Sequence, residues 1–193
     1  MAEKKKQSFT DMMKSPIIAA ISSPKRLDEA MDSKCSIAFL MMGDVMSLPN
    51  YVKALQQAGM KVFVHLDFVE GVANDRSGVR YVARQAKPEG IISTKNQVIR
   101  YGKEEGMLTI QRFFLIDKSA IDKGIQMVES SRPDAVEILP GVIPKVINRL
   151  SEQTSLPLIA GGLIETLDEI QEALDAGAVA ASCGSKKLWN SEV

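Results

Sequence analysis

The chain has 193 residues, 45% hydrophobic and 25% charged; that suffices for one core, is short for two ordinary enzyme domains, and argues against a disordered or disulfide-framed protein. Its 24 lysines and arginines balance 24 aspartates and glutamates, so a nucleic-acid partner would have to meet a local basic patch. With two cysteines, no CxxC spacing and a single histidine, a Cys/His zinc site is a poor fit, and Cys35 and Cys183 read as buried free thiols in a reducing compartment.

After a charged segment with Lys4-Lys5-Lys6 and a short helix ending before Pro16, eight apolar runs read as strands: 17–21, 37–41, 61–67, 90–94, 108–115, 135–139, 158–161 and 178–182. Amphipathic segments separate them at 24–33, 48–58, 75–87, 96–105, 118–131, 143–153 and 166–176, and a last short helix runs through Trp189. Three of these helices close alike, in Ala58-Gly59-Met60, Glu105-Gly106-Met107 and Ala176-Gly177-Ala178, where glycine takes the left-handed turn before the next strand. A strand about every 24 residues predicts a compact single-domain (β/α)8 barrel of the TIM type, with an open doubly wound sheet as the alternative. The N-terminus has no secretory h-region and no apolar stretch approaches the roughly 20 residues of a membrane span, so a soluble cytoplasmic protein is expected.

In parallel α/β folds ligands gather at the C-terminal ends of the strands, and the polar residues of this chain fall there. His65 and Asp67 alternate onto one face of the third strand, Lys95 follows the fourth, Arg112 interrupts the apolar fifth, and Glu137 lies in the sixth. Buried charges of this kind imply mutual pairing or a polar ligand among them; for His65 and Asp67 a structural pair capping the barrel is the competing reading. Across the mouth, Gly161-Gly162 end the seventh strand and Gly184-Ser185 follow the eighth, small residues in the two loops where such barrels bind phosphate through backbone amides. Carboxylates facing an amide nest suit a small phosphorylated polyol. No metal site and no catalytic nucleophile stand out.

The 68–74 connection leads from the third strand, with Gly71 available as a pivot, into the 75–87 helix. There Arg76, Arg80, Arg84 and Lys87 fall within about 80° of arc at 100° per residue. Such a one-sided stripe suits a phosphate backbone; a solvated face is the plainer reading.

Taken in order, Pro-Ile-Ile-Ala-Ala (16–20), His-Leu-Asp (65–67), Gly-Ile-Ile-Ser-Thr-Lys (90–95), Thr-Ile-Gln-Arg-Phe-Phe (109–114), Val-Glu-Ile-Leu-Pro-Gly (136–141), Ile-Ala-Gly-Gly-Leu-Ile (159–164) and Leu-Trp (188–189) resemble the glycerol uptake operon antiterminator regulatory protein family over nearly the whole chain. The resemblance implies a bacterial cytoplasmic (β/α)8 regulator that responds to glycerol 3-phosphate and acts on leader messenger RNA of glycerol-use operons, with no cofactor beyond that effector. It carries ligand-binding roles onto His65, Asp67, Lys95, Arg112, Glu137, Gly161 and Gly162. One departure is visible: Ser182-Cys183-Gly184-Ser185 replaces a Ser-Thr-Ser-Asn-like run, which leaves backbone amides as the phosphate donors there. The alternative from a different class is a barrel enzyme acting on a phosphorylated polyol or triose, with His65, Asp67 and Glu137 as acid and base. A homo-oligomer built through Met41-Met42 and Leu188-Trp189 is a further expectation.

Overall fold

The computed structural model describes residues 8–193, so the Lys4-Lys5-Lys6 run lies outside the described residues. Eight strands, β1 (Ile17–Ile21), β2 (Ile37–Leu40), β3 (Lys61–His65), β4 (Gly90–Ser93), β5 (Leu108–Phe114), β6 (Ala135–Leu139), β7 (Leu158–Gly161) and β8 (Ala180–Cys183), pair in sequence order. All pairs are parallel and β8 returns to β1, closing the barrel. Each strand is followed by one helix: α1 (Leu27–Met31), α2 (Leu48–Gln57), α3 (Arg76–Tyr81), α4 (Asn96–Glu104), α5 (Lys118–Ser131), α6 (Pro144–Ser151), α7 (Leu167–Asp175) and α8 (Lys186–Trp189). Closure excludes the open doubly wound alternative, which would leave two sheet edges.

Period-two alternation divides the buried residues into two cores. Ile18, Ile37, Phe39, Phe63, Ile92, Ile110, Ala135, Ile159 and Ala180 fill the barrel, joined by Phe9 from the segment before β1. Phe63 meets Phe9 and Phe39 edge-on, with ring centroids 5.5 and 6.0 Å apart, and burial of each ring contributes about 2 to 3 kcal/mol. Gly90 makes room for them, since a Cβ there would lie 2.5 Å from the Phe63 ring. The outward-facing strand residues pack against the helices in the second core.

The helix ends follow local chemistry. Asp75 and Asp117 cap α3 and α5 by accepting from Gly78 N and Ala120 N, and Thr166 with Glu169 forms a reciprocal capping box on α7. Gly59, Gly106 and Gly177 have φ of 88°, 81° and 108°, the left-handed closures expected from the repeated helix-glycine-strand unit.

Two elements depart from the expected pattern. β3 stops at His65, and Leu66–Phe68 form a 3-10 turn, so Asp67 leaves the strand face it was expected to share with His65. The 75–87 segment is an α-helix only to Tyr81; Val82–Ala86 widen into a π turn closed by Lys87 N donating to Val82 O at 3.0 Å. Met42, Leu188 and Trp189 are buried, so they do not offer the oligomer surface expected of them. No helix among the described residues is long and apolar enough to cross a membrane.

Candidate effector site at the barrel mouth

Continuing the inward alternation of each strand toward its C-terminal end gives a polar top layer above the apolar interior. His65, Arg112, Glu137 and Ser182 occupy it, with Met41 just beyond β2 and the glycine of β7 at 161. Arg112 and Glu137 are register partners on adjacent strands. Arg112 Nε donates to Glu137 Oε2 at 2.6 Å, with the two side chains 6% and 0% exposed; such a pair persists in a low-dielectric interior only when its remaining polar atoms are satisfied. Here Glu137 Oε1 accepts from Ser182 Oγ at 2.7 Å, and Arg112 Nη2 contacts Met41 Sδ at 3.3 Å.

The Glu137 to Ser182 bridge runs from β6 to β8 across β7, and a glycine at 161 makes it possible. A Cβ at that position would lie 2.6 Å from Glu137 Oε1 and 2.8 Å from Ser182 Oγ. Gly161 therefore sits beneath a carboxylate bridge, whereas Gly162 and Gly184 line the open space above it. That space is a cavity of about 170 Å³ walled by Ala20, Met41, Arg112, Glu137, Ser182 and the loops around Leu163 and Gly184. Gly162 and Leu163 are consecutive left-handed residues, with φ of 74° and 61°. Such strain in a bulky residue costs about 1 to 3 kcal/mol and gathers at functional sites. Ser185 is partly buried beside the cavity and is not one of its lining residues.

Beside the cavity lies a second cluster. Asp67 accepts from Ser93 Oγ at 2.7 Å, Thr94 N at 2.9 Å and Thr94 Oγ1 at 2.8 Å. Burial works to raise its carboxyl; the Thr94 and Ser93 hydrogen bonds outweigh burial and hold it below the ordinary carboxylate value. In the amide orientation that satisfies both neighbours, Asn74 donates to Asp67 Oδ1 at 3.2 Å and accepts from Lys95 Nζ at 2.9 Å. His65 is 1% exposed and neither ring nitrogen has a hydrogen-bond partner. Burial, then repulsion by Arg112, pulls its pKa down to about 3, so the ring is neutral at physiological pH.

Of the nine residues expected to hold ligand, Arg112, Glu137, Gly162 and Gly184 therefore share one cavity wall. His65, Asp67 and Lys95 make the neighbouring cluster, Gly161 lies under the Glu137–Ser182 bridge, and Ser185 is not among the cavity's lining residues. Ser182, Met41, Ser93, Thr94 and Asn74 complete the site and were not singled out for it from sequence. Ser182 follows the inward period of β8, which is the signal that could have found it.

On the outer surface, the α3 stripe is paired. Arg76 Nη1 meets Glu104 at 2.6 Å and lies over the Tyr101 ring, while Arg80 and Arg84 share Glu105 at 2.9 and 3.5 Å. Lys87 stands at the left-handed end of the π turn with φ 53°. Three of the stripe's four cations are thus set against two carboxylates of the α4 segment. Both cysteines are buried free thiols. Among the described residues, no group of three or more His, Cys, Asp and Glu is placed to hold a metal ion.

The family described as glycerol-3-phosphate responsive antiterminator matches residues 17–189. The chain belongs to this antiterminator family. The crystal structure of the glycerol uptake operon antiterminator regulatory protein from Listeria monocytogenes str. 4b F2365 superposes with a TM-score of 0.87 at 35% identity, covering 91% of this chain and 95% of that one. A glycerol uptake operon antiterminator-related protein from Thermotoga maritima MSB8 superposes at 0.81 with 34% identity, covering 92% and 99%. The uncharacterised Escherichia coli K12 protein YgcP is 34% identical over 178 residues, 92% of this chain and 93% of its own length. Barrel decarboxylases and aldolases are 11% to 18% identical, a likeness that shows the fold alone. Antiterminator membership agrees with the resemblance read from the seven phrases.

Proposed function

We propose that this antiterminator-family barrel binds glycerol 3-phosphate at its mouth and, in that state, binds leader messenger RNA of glycerol-use operons to favour transcription past a terminator. The observation that carries the reading is the Arg112–Glu137 pair lining the 170 Å³ cavity together with the small-residue turns at Gly162 and Gly184. A cation already neutralised by a carboxylate still orients an anion or hydroxyl without leaving an uncompensated charge when the site is empty. The turns let backbone amides approach phosphate.

The acid and base roles of the enzyme alternative gain little from this geometry. Glu137 is engaged by Arg112 and Ser182, and Asp67 by Ser93 and Thr94. Both carboxylates hold positions, which favours binding over proton transfer. The test is calorimetric titration with glycerol 3-phosphate, using glycerol and inorganic phosphate as controls. Saturable binding of glycerol 3-phosphate, at least tenfold tighter than either control and lost in Arg112→Met, is expected; equal affinity for inorganic phosphate would sink the assignment of a polyol site.

A further inference from the structure

His65 has both of its ring nitrogens, Nδ1 and Nε2, left without a partner at the mouth. It ends β3 in the same inward layer as Arg112 and Glu137, 1% exposed. Buried polar side chains nearly always have a hydrogen-bond partner, so an unsatisfied one calls for a water, an ion or a ligand; His65, in that layer, lies beside the residues that line the cavity. The neighbouring charges do not satisfy it: Asp67 is occupied by Ser93 and Thr94, and the Arg112 cation repels an imidazolium.

What covers His65 is equally unusual. The Phe68 ring lies 4.5 Å from the imidazole at a tilt of 54° and is itself 51% exposed, so an apolar ring stands in solvent above a buried polar one. Leu66 and Val69 on either side are buried and anchor the turn, whereas the Phe68 side chain is half exposed. A neutral imidazole offers one donor and one acceptor, the complement of a hydroxyl, and a diol can use both nitrogens.

We propose that His65 is the hydroxyl-reading residue of the effector site, and that the Phe68 ring holds the hydroxyl's place until a phosphorylated polyol enters. The proposal rests on the effector reading above and extends it: phosphate lies toward Gly162 and Gly184, the hydroxyls pass Arg112 and Met41 to reach His65, and Phe68 turns outward. The Phe68 ring belongs to the connection that leads into α3, so its turning outward changes the exposed apolar surface beside the mouth.

The chain has a single histidine, so one pair of 15N imidazole signals reports His65 without ambiguity. The experiment combines that spectrum with calorimetry on wild type, His65→Leu and His65→Gln, using glycerol 3-phosphate and propyl phosphate, which lacks the hydroxyls. Wild type should prefer glycerol 3-phosphate on the order of 100-fold or more, as sites built to hydrogen-bond a hydroxyl do. His65→Leu should lose at least tenfold of that preference while keeping its affinity for propyl phosphate, and His65→Gln should restore part of it. The imidazole signals should move with glycerol 3-phosphate and stay in place with propyl phosphate. An unchanged preference in His65→Leu, or imidazole signals that do not move at saturation, would overturn the proposal. If His65→Leu does not fold, the wild-type spectrum and the His65→Gln titration decide it. If wild type binds no glycerol 3-phosphate the effector assignment fails by itself; a panel of longer phosphorylated polyols then tests the subsite, and silent imidazole signals throughout reject it.

Discussion

The His65 imidazole is held neutral by burial and by Arg112, with a folded pKa of about 3 against an ordinary value of 6.5. In the unfolded chain it takes up a proton below about pH 6.5, which the native state refuses, so stability rises with pH across the window from 3 to 6.5 and falls on acidification through it. Between pH 6.5 and 5 most carboxylates are ionised in both states, and the slope there belongs mainly to His65, approaching about 1.4 kcal/mol per pH unit at the lower end. Urea denaturation at pH 6.5, 5.75 and 5 should show this decline in wild type and a flat profile in His65→Gln. The Arg112–Glu137 pair makes a second prediction at this scale. Glu137→Gln leaves a buried cation without its counter-charge and should cost about 3 to 5 kcal/mol by denaturant midpoint. Arg112→Leu with Glu137→Leu should recover much of that loss while ending ligand binding. Of these residues, Arg112 and Glu137 were legible because a charge inside an apolar strand demands a partner. The Ser182 bridge was not, because it depends on a missing Cβ at Gly161 one strand away, and no linear pattern records that.

At the scale of elements, strand and helix positions followed from period and from glycine closures, and the errors lie where a tertiary partner overrode the local pattern. Alternation carried β3 on to Asp67, but the hydrogen bonds that Ser93 and Thr94 offer at the end of β4 pull that carboxylate out of register and into a 3-10 turn. The helical count from Arg76 to Lys87 assumed a constant turn, which the π turn at Val82–Ala86 breaks. The basic stripe was visible and its counter-charges were not, since Glu104 and Glu105 come from the α4 segment. That pairing sharpens the prediction for α3. Reversing Arg80 and Arg84 would add repulsion from Glu105 to any loss of RNA contact, so the cleaner variant is Glu105→Gln, which frees two guanidinium groups. If this face meets RNA, Glu105→Gln should tighten leader binding at moderate salt, and Arg80→Gln with Arg84→Gln should weaken it and reduce the salt slope by about 1 to 2. A filter-binding salt series reads both; identical slopes in all three proteins would move the contact surface elsewhere.

The polar layer, the 170 Å³ cavity walled by Arg112 and Glu137, and most of the exposed apolar side chains gather at one end of the barrel. Apart from Val193, the exposed large hydrophobics among the described residues, Met46, Phe68, Phe114, Ile116, Ile143, Leu163 and Leu167, lie on or beside segments that follow strands. The barrel was legible in the sequence because eight strand and helix units repeat through the chain, and the mouth was legible because polar residues interrupt those units at the same end. The connection from the third strand into α3 was legible too, whereas the Phe68 ring lying 4.5 Å from His65 was not, being a contact of tertiary origin. An effector shifts an equilibrium only by its different affinity for the two states, typically a coupling of about 1 to 3 kcal/mol. The most direct measurement is the affinity of the purified protein for a glycerol-operon leader RNA at fixed moderate salt, with and without saturating glycerol 3-phosphate, and with glycerol and inorganic phosphate as controls. Binding tightened about 5- to 150-fold by glycerol 3-phosphate alone is the predicted result. Equal affinity in all four conditions, or no RNA binding by protein shown to be loaded with the effector, would contradict an effector-gated RNA-binding regulator.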